Sequence, residues 1–197
     1  MARPNLTEQR RAELLPVVAK AFAELGYRRA TTAELARRCK VRENILYRLW
    51  SDKKTMFIAA IGYVYDQAAH SWQRVLREGD PGIPAPERLL KHEAQHYGES
   101  GLHRIIYAGL NETDDPDVRR ALRTMYDRFH RFIHKQVGDH RGGRAKKSIP
   151  DAVVSAWAIV GLGNVANISR ELGLLTDRQR QRLIADAGRL LLSGEKT

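Results

Sequence analysis

Apolar residues along this chain recur at intervals of three and four, and strict alternation is scarce. That period gathers them on one side of a helix rather than on one face of a strand, so an all-α protein of about nine helices is expected. Thr7 stands where it can cap a first helix whose inward stripe is Leu14, Val18, Phe22 and Leu25. Gly26 supplies its stop, and Pro16 marks an irregularity inside it. Thr31 and Glu34 have capping-box spacing at the head of a short helix carrying Leu35 and Ala36, which should end near Cys39. After Lys40 and Val41 a second short helix is expected over Arg42 to Leu49. Ile45 and Leu46 would serve its core side, and Arg42, Asn44 and Arg48 its solvent side. Ser51 or Asp52 then caps a long fourth helix from about Lys53 to Leu76.

Gly79 to Pro86 (GDPGIPAP) is the clearest break in the chain, read as a loop within one larger helical body. Further helices are expected over Pro86 to Glu99, Leu102 to Leu110 and Asp117 to Val137. The basic, glycine-rich stretch Gly138 to Lys147 is expected to be mobile. Two last helices should cover Pro150 to Leu172 and Asp177 to Leu192, and no internal repeat is present.

Composition narrows the classes. Of 197 residues, 43% are apolar and 29% charged, the balance of a globular protein with a real core. No unbroken run of about 18 apolar residues offers a membrane span, and the opening MARPNL is not a secretory signal, so a cytoplasmic protein is expected. The single cysteine, Cys39, can form neither an internal disulfide nor a thiolate metal site alone. The formal charge of +11 is uneven. Residues 1–60 hold 13 Lys/Arg against 6 Asp/Glu, or +7, leaving 21 against 17, or +4, for the rest. A basic head on a nearly balanced body suits electrostatic capture of a polyanion, because each neutralised phosphate releases counterions.

Two short helices joined by a tight turn, with a third helix start close behind, suit the DNA major groove. The stretch from Phe22 to Ile61 resembles the DNA-binding region of the TetR (tetracycline-repressor-like) family. The matching pieces are Phe22 four residues before Gly26-Tyr27, the Thr31-Thr32 pair, Leu35-Ala36, Val41, Leu46-Tyr47, Trp50 and Lys53. That resemblance implies a helix-turn-helix DNA-binding domain over residues 1–52 and a helical regulatory and dimerisation domain over 53–197. It makes Arg42 to Leu49 the recognition helix, with Arg42, Glu43, Asn44 and Arg48 facing base edges. Arg suits guanine and Asn suits adenine by bidentate geometry. Thr32, Tyr47 and Lys53 would contact phosphates and set register rather than sequence. Two departures stand out: Lys40 replaces the family's usual glycine, and Arg42 and Ile45 replace small hydroxyl residues.

The resemblance further implies a small-molecule effector bound in the C-terminal body, a homodimer built on the last two helices, and a palindromic double-stranded operator released when the effector binds. Trp72, His96, Tyr97, Tyr107, Tyr126, Phe129, His130 and Trp157 are the candidate pocket residues; plain core packing is the alternative for each. Val153, Val154, Trp157, Val160, Gly161 and Val165, then Leu183, Ile184, Ala187, Leu190 and Leu191, form stripes broad enough to bury one face inside and one against a partner. No cofactor or metal is expected for such a regulator, and no catalysis. The competing reading is a zinc-dependent hydrolase or zinc sensor, because His92-Glu93-Ala94-Gln95-His96 fits HExxH, with His103 or Glu112 as a third ligand.

Overall fold

The computed structural model describes residues 6–142 and 150–194. Among these the chain is helical throughout, with α1 Leu6–Arg29, α2 Thr32–Cys39, α3 Glu43–Leu49, α4 Lys53–Glu78, α5 Ala85–His96, α6 His103–Leu110, α7 Pro116–Arg141 and α8 Ala152–Glu171. The final rod begins as α9 (Asp177–Arg182), passes through a π-helical turn (Leu183–Ala187) and ends as α10 (Gly188–Ser193).

Packing divides the chain into two compact units. Met1–Gln67 and Ser100–Met125 form the first, Ala68–Glu99 and Tyr126–Thr197 the second. This division differs from a single cut after residue 52, because α6 and the start of α7 pack with the N-terminal helices. In the first unit Leu14, Val18, Phe22, Leu35, Leu46, Met56, Phe57, Ile61, Ile105 and Val118 are buried. Phe22 meets Phe57 edge-on with ring centroids 5.0 Å apart, and Tyr27 leans on Phe57 at 4.7 Å. Gly109 lets α7 approach, since a Cβ there would lie 3.2 Å from Leu122 Cδ2.

Four local expectations change. Thr7 lies inside α1 rather than capping it. Pro16 keeps helical dihedrals, and the break falls at Gly26, whose φ of 73° and ψ of 168° only glycine adopts at low cost. Helix α7 runs through Gly138 to Arg141, so Gly138 does not open a mobile stretch as expected; the rest of that expectation, residues 143–149, lies outside the described residues. The last helix is not regular, and at Gly188 a Cβ would overlap Leu90 Cδ1 of α5.

A buried cation explains the extension of α7. Arg141, 3% exposed, donates from Nε to Leu192 O (3.1 Å), from Nη1 to Pro150 O (2.8 Å), and from Nη2 to Ser155 Oγ (2.6 Å) and Leu191 O (2.7 Å). It thereby satisfies carbonyls at the C-terminus of α10 that have no partner within the helix, which offsets the cost of burying the charge. Among the described helices α8 is long and apolar enough to cross a membrane by composition alone. Its buried Ser155, Asn167 and Ser169 nevertheless give it a face packed inside protein, as in the core helix of a water-exposed fold.

Candidate nucleic-acid interface

The site begins with α2. Thr31, extended at φ −83° and ψ 154°, accepts a hydrogen bond from Glu34 N at 3.2 Å and so caps the helix as its sequence predicts. The Glu34 side chain turns to arginines instead of closing the box. Its Oε2 and Oε1 accept from Arg37 Nε (2.7 Å) and Nη2 (2.8 Å), and Oε1 also accepts from Arg38 Nε (2.8 Å). Arg37 first, then Arg38, hold the Glu34 carboxyl down at about 2. Arg38 is bound to Glu24 as well.

Helix α2 ends at Lys40, which takes the left-handed conformation (φ 54°, ψ 42°) that glycine would adopt freely. The strain, about 1 kcal/mol, is held in place because Lys40 N donates to Arg37 O and Val41 N to Ala36 O. Arg42 follows in extended conformation as the N-cap of α3, with no side-chain cap. Nothing therefore turns its guanidinium back onto the helix. Leu46 and Leu49 are buried on the inner side of α3, and Trp50 N closes the helix by donating to Leu46 O at 2.8 Å.

The outer side of α3 carries Arg42, Glu43, Asn44, Tyr47 and Arg48, all exposed. Ion pairs elsewhere in the head consume much of its charge: Arg10 with Glu13, Arg11 with Glu8, Arg28 with Glu112, Arg37 and Arg38 with Glu34, and Lys54 with Asp115 and Asp117. Among the described residues Lys40, Arg42 and Arg48 make no such pair, which leaves three uncommitted cations on α3 and the turn before it; Lys20 and Arg29 on α1 also stand outside these pairs. Tyr47 does not bury its ring; its hydroxyl donates to Thr32 Oγ1 at 3.2 Å, setting two hydroxyls side by side at the start of α2. Lys53 is less free. Its Nζ donates to Tyr27 O at 3.1 Å and sits 4.5 Å from the centroid of the Tyr27 ring. Asp52 rather than Ser51 caps α4, accepting from Thr55 N at 2.7 Å.

The candidate pocket residues are divided between the two units. Tyr107 lies in the first unit, its ring 5.9 Å from that of His103. In the second unit Trp72 stacks on Phe132 (4.4 Å, 17°) and meets Phe129 edge-on. Tyr126 donates to Asn164 Oδ1 at 3.4 Å. His130 stacks on the half-exposed Trp157 at 4.5 Å. His96 is exposed and pairs with Glu99. Tyr97, whose ring fills the space a Cβ at Gly163 would need, lines a cavity of about 150 Å³. Gln95, Glu99, Arg170, Asp177, Arg180 and Gln181 share that cavity and make it more polar than an effector pocket built of aromatic residues. Arg141 and the Arg170–Arg180 pair went unnoticed in the sequence, where they are ordinary basic residues on polar helix faces.

The HExxH pattern fares differently from its expectation. His92 and His96 do share a face, with ring centroids 4.8 Å apart. Glu93, however, accepts from Trp72 Nε1, and His92 Nε2 is 2.8 Å from Ser71 Oγ. Among the described residues no group of three His, Cys, Asp or Glu could hold a metal ion, and both proposed third ligands, His103 and Glu112, belong to the other unit.

Residues 15–60 match the family model for bacterial regulatory proteins of the tetR family. The HTH-type transcriptional regulator HbdR of an Aromatoleum species is 27% identical over 94 residues, 48% of this chain and 39% of that protein, so this match spans well under half of HbdR. The nucleoid occlusion factor SlmA of Aliivibrio fischeri is 28% identical over 164 residues, 82% of this chain and 83% of SlmA. A TetR-family regulator structure from Rhodococcus shares the fold at a TM-score of 0.77 and 19% identity, covering 94% of this chain and all of that one. A Saccharomonospora viridis regulator solved with choline (TM-score 0.72, 16% identity, 93% and 96% covered) shares it too. So does Bacillus subtilis FadR with stearoyl-CoA (0.68, 14%, 94% and 99%). Residues 15–60 thus match the helix-turn-helix region of tetR-family regulators, and the chain as a whole shares the all-helical fold of solved TetR-family regulators.

Proposed function

We propose that this regulator is a homodimeric repressor that holds a palindromic operator through α3 and is released from it by a small molecule. The observation that carries the reading is the state of α3. Its inner side is fixed by buried Leu46 and Leu49, while Arg42 and Arg48 project outward with no ion-pair partner among the described residues. Arg42 and Arg48 can read guanine, Asn44 adenine, and Glu43 the amino group of cytosine. Thr32 and Tyr47, already paired, would hold one phosphate together, and Lys53 would swing from Tyr27 to another. On this reading residues 1–52 are the DNA-binding head and residues 53–197 carry regulation and dimerisation.

Dimerisation is supported by an apolar face without cover. Val153, Val154, Trp157, Val165, Ile168 and Leu172 line one side of α8 at 41–68% exposure, and Leu190 on α10 is 57% exposed. A patch of this extent marks an interaction site, and two-fold pairing would match a two-fold operator. The effector expectation draws on the neighbours solved with choline and with stearoyl-CoA. Occupancy can lower DNA affinity only as far as the ligand prefers the released conformer.

The test is selection of bound sites from random duplex DNA, with the mass of the complex measured alongside. Enrichment of an inverted repeat bound by two chains supports the proposal. Sequence-independent binding, or binding by single chains, contradicts it.

A further inference from the structure

Taking the effector reading as its basis, one half-buried acid indicates what kind of molecule the second unit accepts. Glu93 projects from α5 toward Trp72 on α4. Its Oε1 accepts a hydrogen bond from Trp72 Nε1 at 2.7 Å. Behind that indole lie Phe132, stacked on it at 4.4 Å and 17°, and Phe129, edge-on at 5.8 Å and 75°. The carboxyl is thus set against the rim of an aromatic cluster. No Lys or Arg among the described residues pairs with it, and His96, one turn along α5, lies against Glu99 instead. Desolvation accordingly pushes the Glu93 carboxyl above its ordinary range.

Protein interiors rarely leave a carboxylate unmatched, because the charge lost from water must be repaid by a counter-charge or by enough donors. Here one indole N–H is the only protein donor found among the described residues. Elsewhere in the same unit the buried charge of Arg141 has four acceptors, so the shortage at Glu93 is local. The side chain also keeps part of its surface open despite the crowding. An approaching cation would meet the second carboxylate oxygen and, beside it, π-rich surface that favours positive charge. An anionic ligand would meet the opposite.

We infer that Glu93 is the counter-ion for a cationic effector, an organic ammonium whose charge seats on the carboxylate and whose apolar body lies along the Trp72–Phe129–Phe132 cluster. HExxH chemistry is then not the use of this glutamate, and its neighbours His92 and His96 are bystanders held by Ser71 and Glu99.

The experiment is calorimetric titration and thermal unfolding of the full chain with tetramethylammonium and 2-phenylethylammonium, beside the uncharged 2-phenylethanol. At least one ammonium should bind and raise Tm where the alcohol does not. Glu93→Gln keeps an acceptor for Trp72 Nε1 but removes the charge, and should weaken that ammonium by about tenfold or more. Glu93→Asp keeps the charge and should retain measurable binding. Equal response to ammonium and alcohol, no response to either ammonium, or full affinity in Glu93→Gln overturns the inference. A parallel DNA-retardation arm separates this from the broader reading. Glu93-dependent ammonium binding that leaves DNA affinity unchanged keeps the cation site and removes its role as the effector site; loss of both removes both.

Discussion

The two compact units treat charge in opposite ways. In the first, nearly every cation lies at the surface, and three without a carboxylate partner among the described residues, Lys40, Arg42 and Arg48, lie on α3 and its preceding turn, where a polyanion could reach them. In the second, Arg141 is buried among three carbonyls and the Ser155 hydroxyl, and the half-buried Glu93 is short of partners. Exposed, uncommitted charge selects a partner by long-range attraction and by geometry at the groove. Buried charge either fixes the fold, as Arg141 does, or leaves a demand that a ligand can meet.

The largest effect that would sharpen this contrast concerns the uncovered face of α8. Ile168→Asp places a carboxylate in the centre of the proposed dimer contact, once from each copy. It should weaken association by roughly 4 kcal/mol or more, read as a halved mass in light scattering at concentrations where the parent is dimeric. An unchanged mass would move the interface elsewhere.

Next comes Arg141→Ala. Removing the guanidinium strands the carbonyls of Leu191, Leu192 and Pro150 and opens a void, for an expected loss of about 3 kcal/mol in denaturant unfolding. A change under a few tenths would mean the clamp is dispensable. In the head, Lys53→Ala should weaken all DNA sequences alike and lower the salt slope by about one. Part of the loss should persist at high salt, because Lys53 also braces Tyr27.

The smallest expected effect is on pH. Glu93 in the fold holds its proton more tightly than in the unfolded chain, so the native state binds more protons above the ordinary value of 4.5 and stability falls as pH rises through that window. His92, whose burial lowers its proton affinity, acts with the opposite sign near 6.5, where stability recovers as pH rises. Subtracting the profile of Glu93→Gln isolates the first slope, and identical profiles would show that Glu93 is not desolvated.

The head was legible because its signals are local. A threonine cap, a residue in left-handed conformation and burial at helical spacing, as at Leu35, Ala36 and Cys39, specify α2, the turn and α3 with little help from elsewhere. Even there Pro16 misled. The helix absorbs its missing donor, whereas Gly26, with φ and ψ that other residues avoid, breaks the rod. The second unit depends on distant pairings. Gly138 looked like the start of a loop, yet α7 continues because Arg141 bonds to residues about fifty positions away. Aromatic residues were visible one by one, but nothing in their spacing joins Trp72 to Phe132 or sends Tyr107 to the other unit. Glu93 drew notice only as part of a metal motif, since its link to Trp72 spans 21 positions.

The central claim is that α3 reads bases through side chains the protein itself leaves uncommitted. Its most direct test is the affinity of Arg42→Ala, relative to the parent, across single-base variants of the selected operator. An uneven loss is expected, about 1–3 kcal/mol where a guanine faces position 42 and little where that base has been changed. A uniform loss at every variant, or none at all, would contradict it.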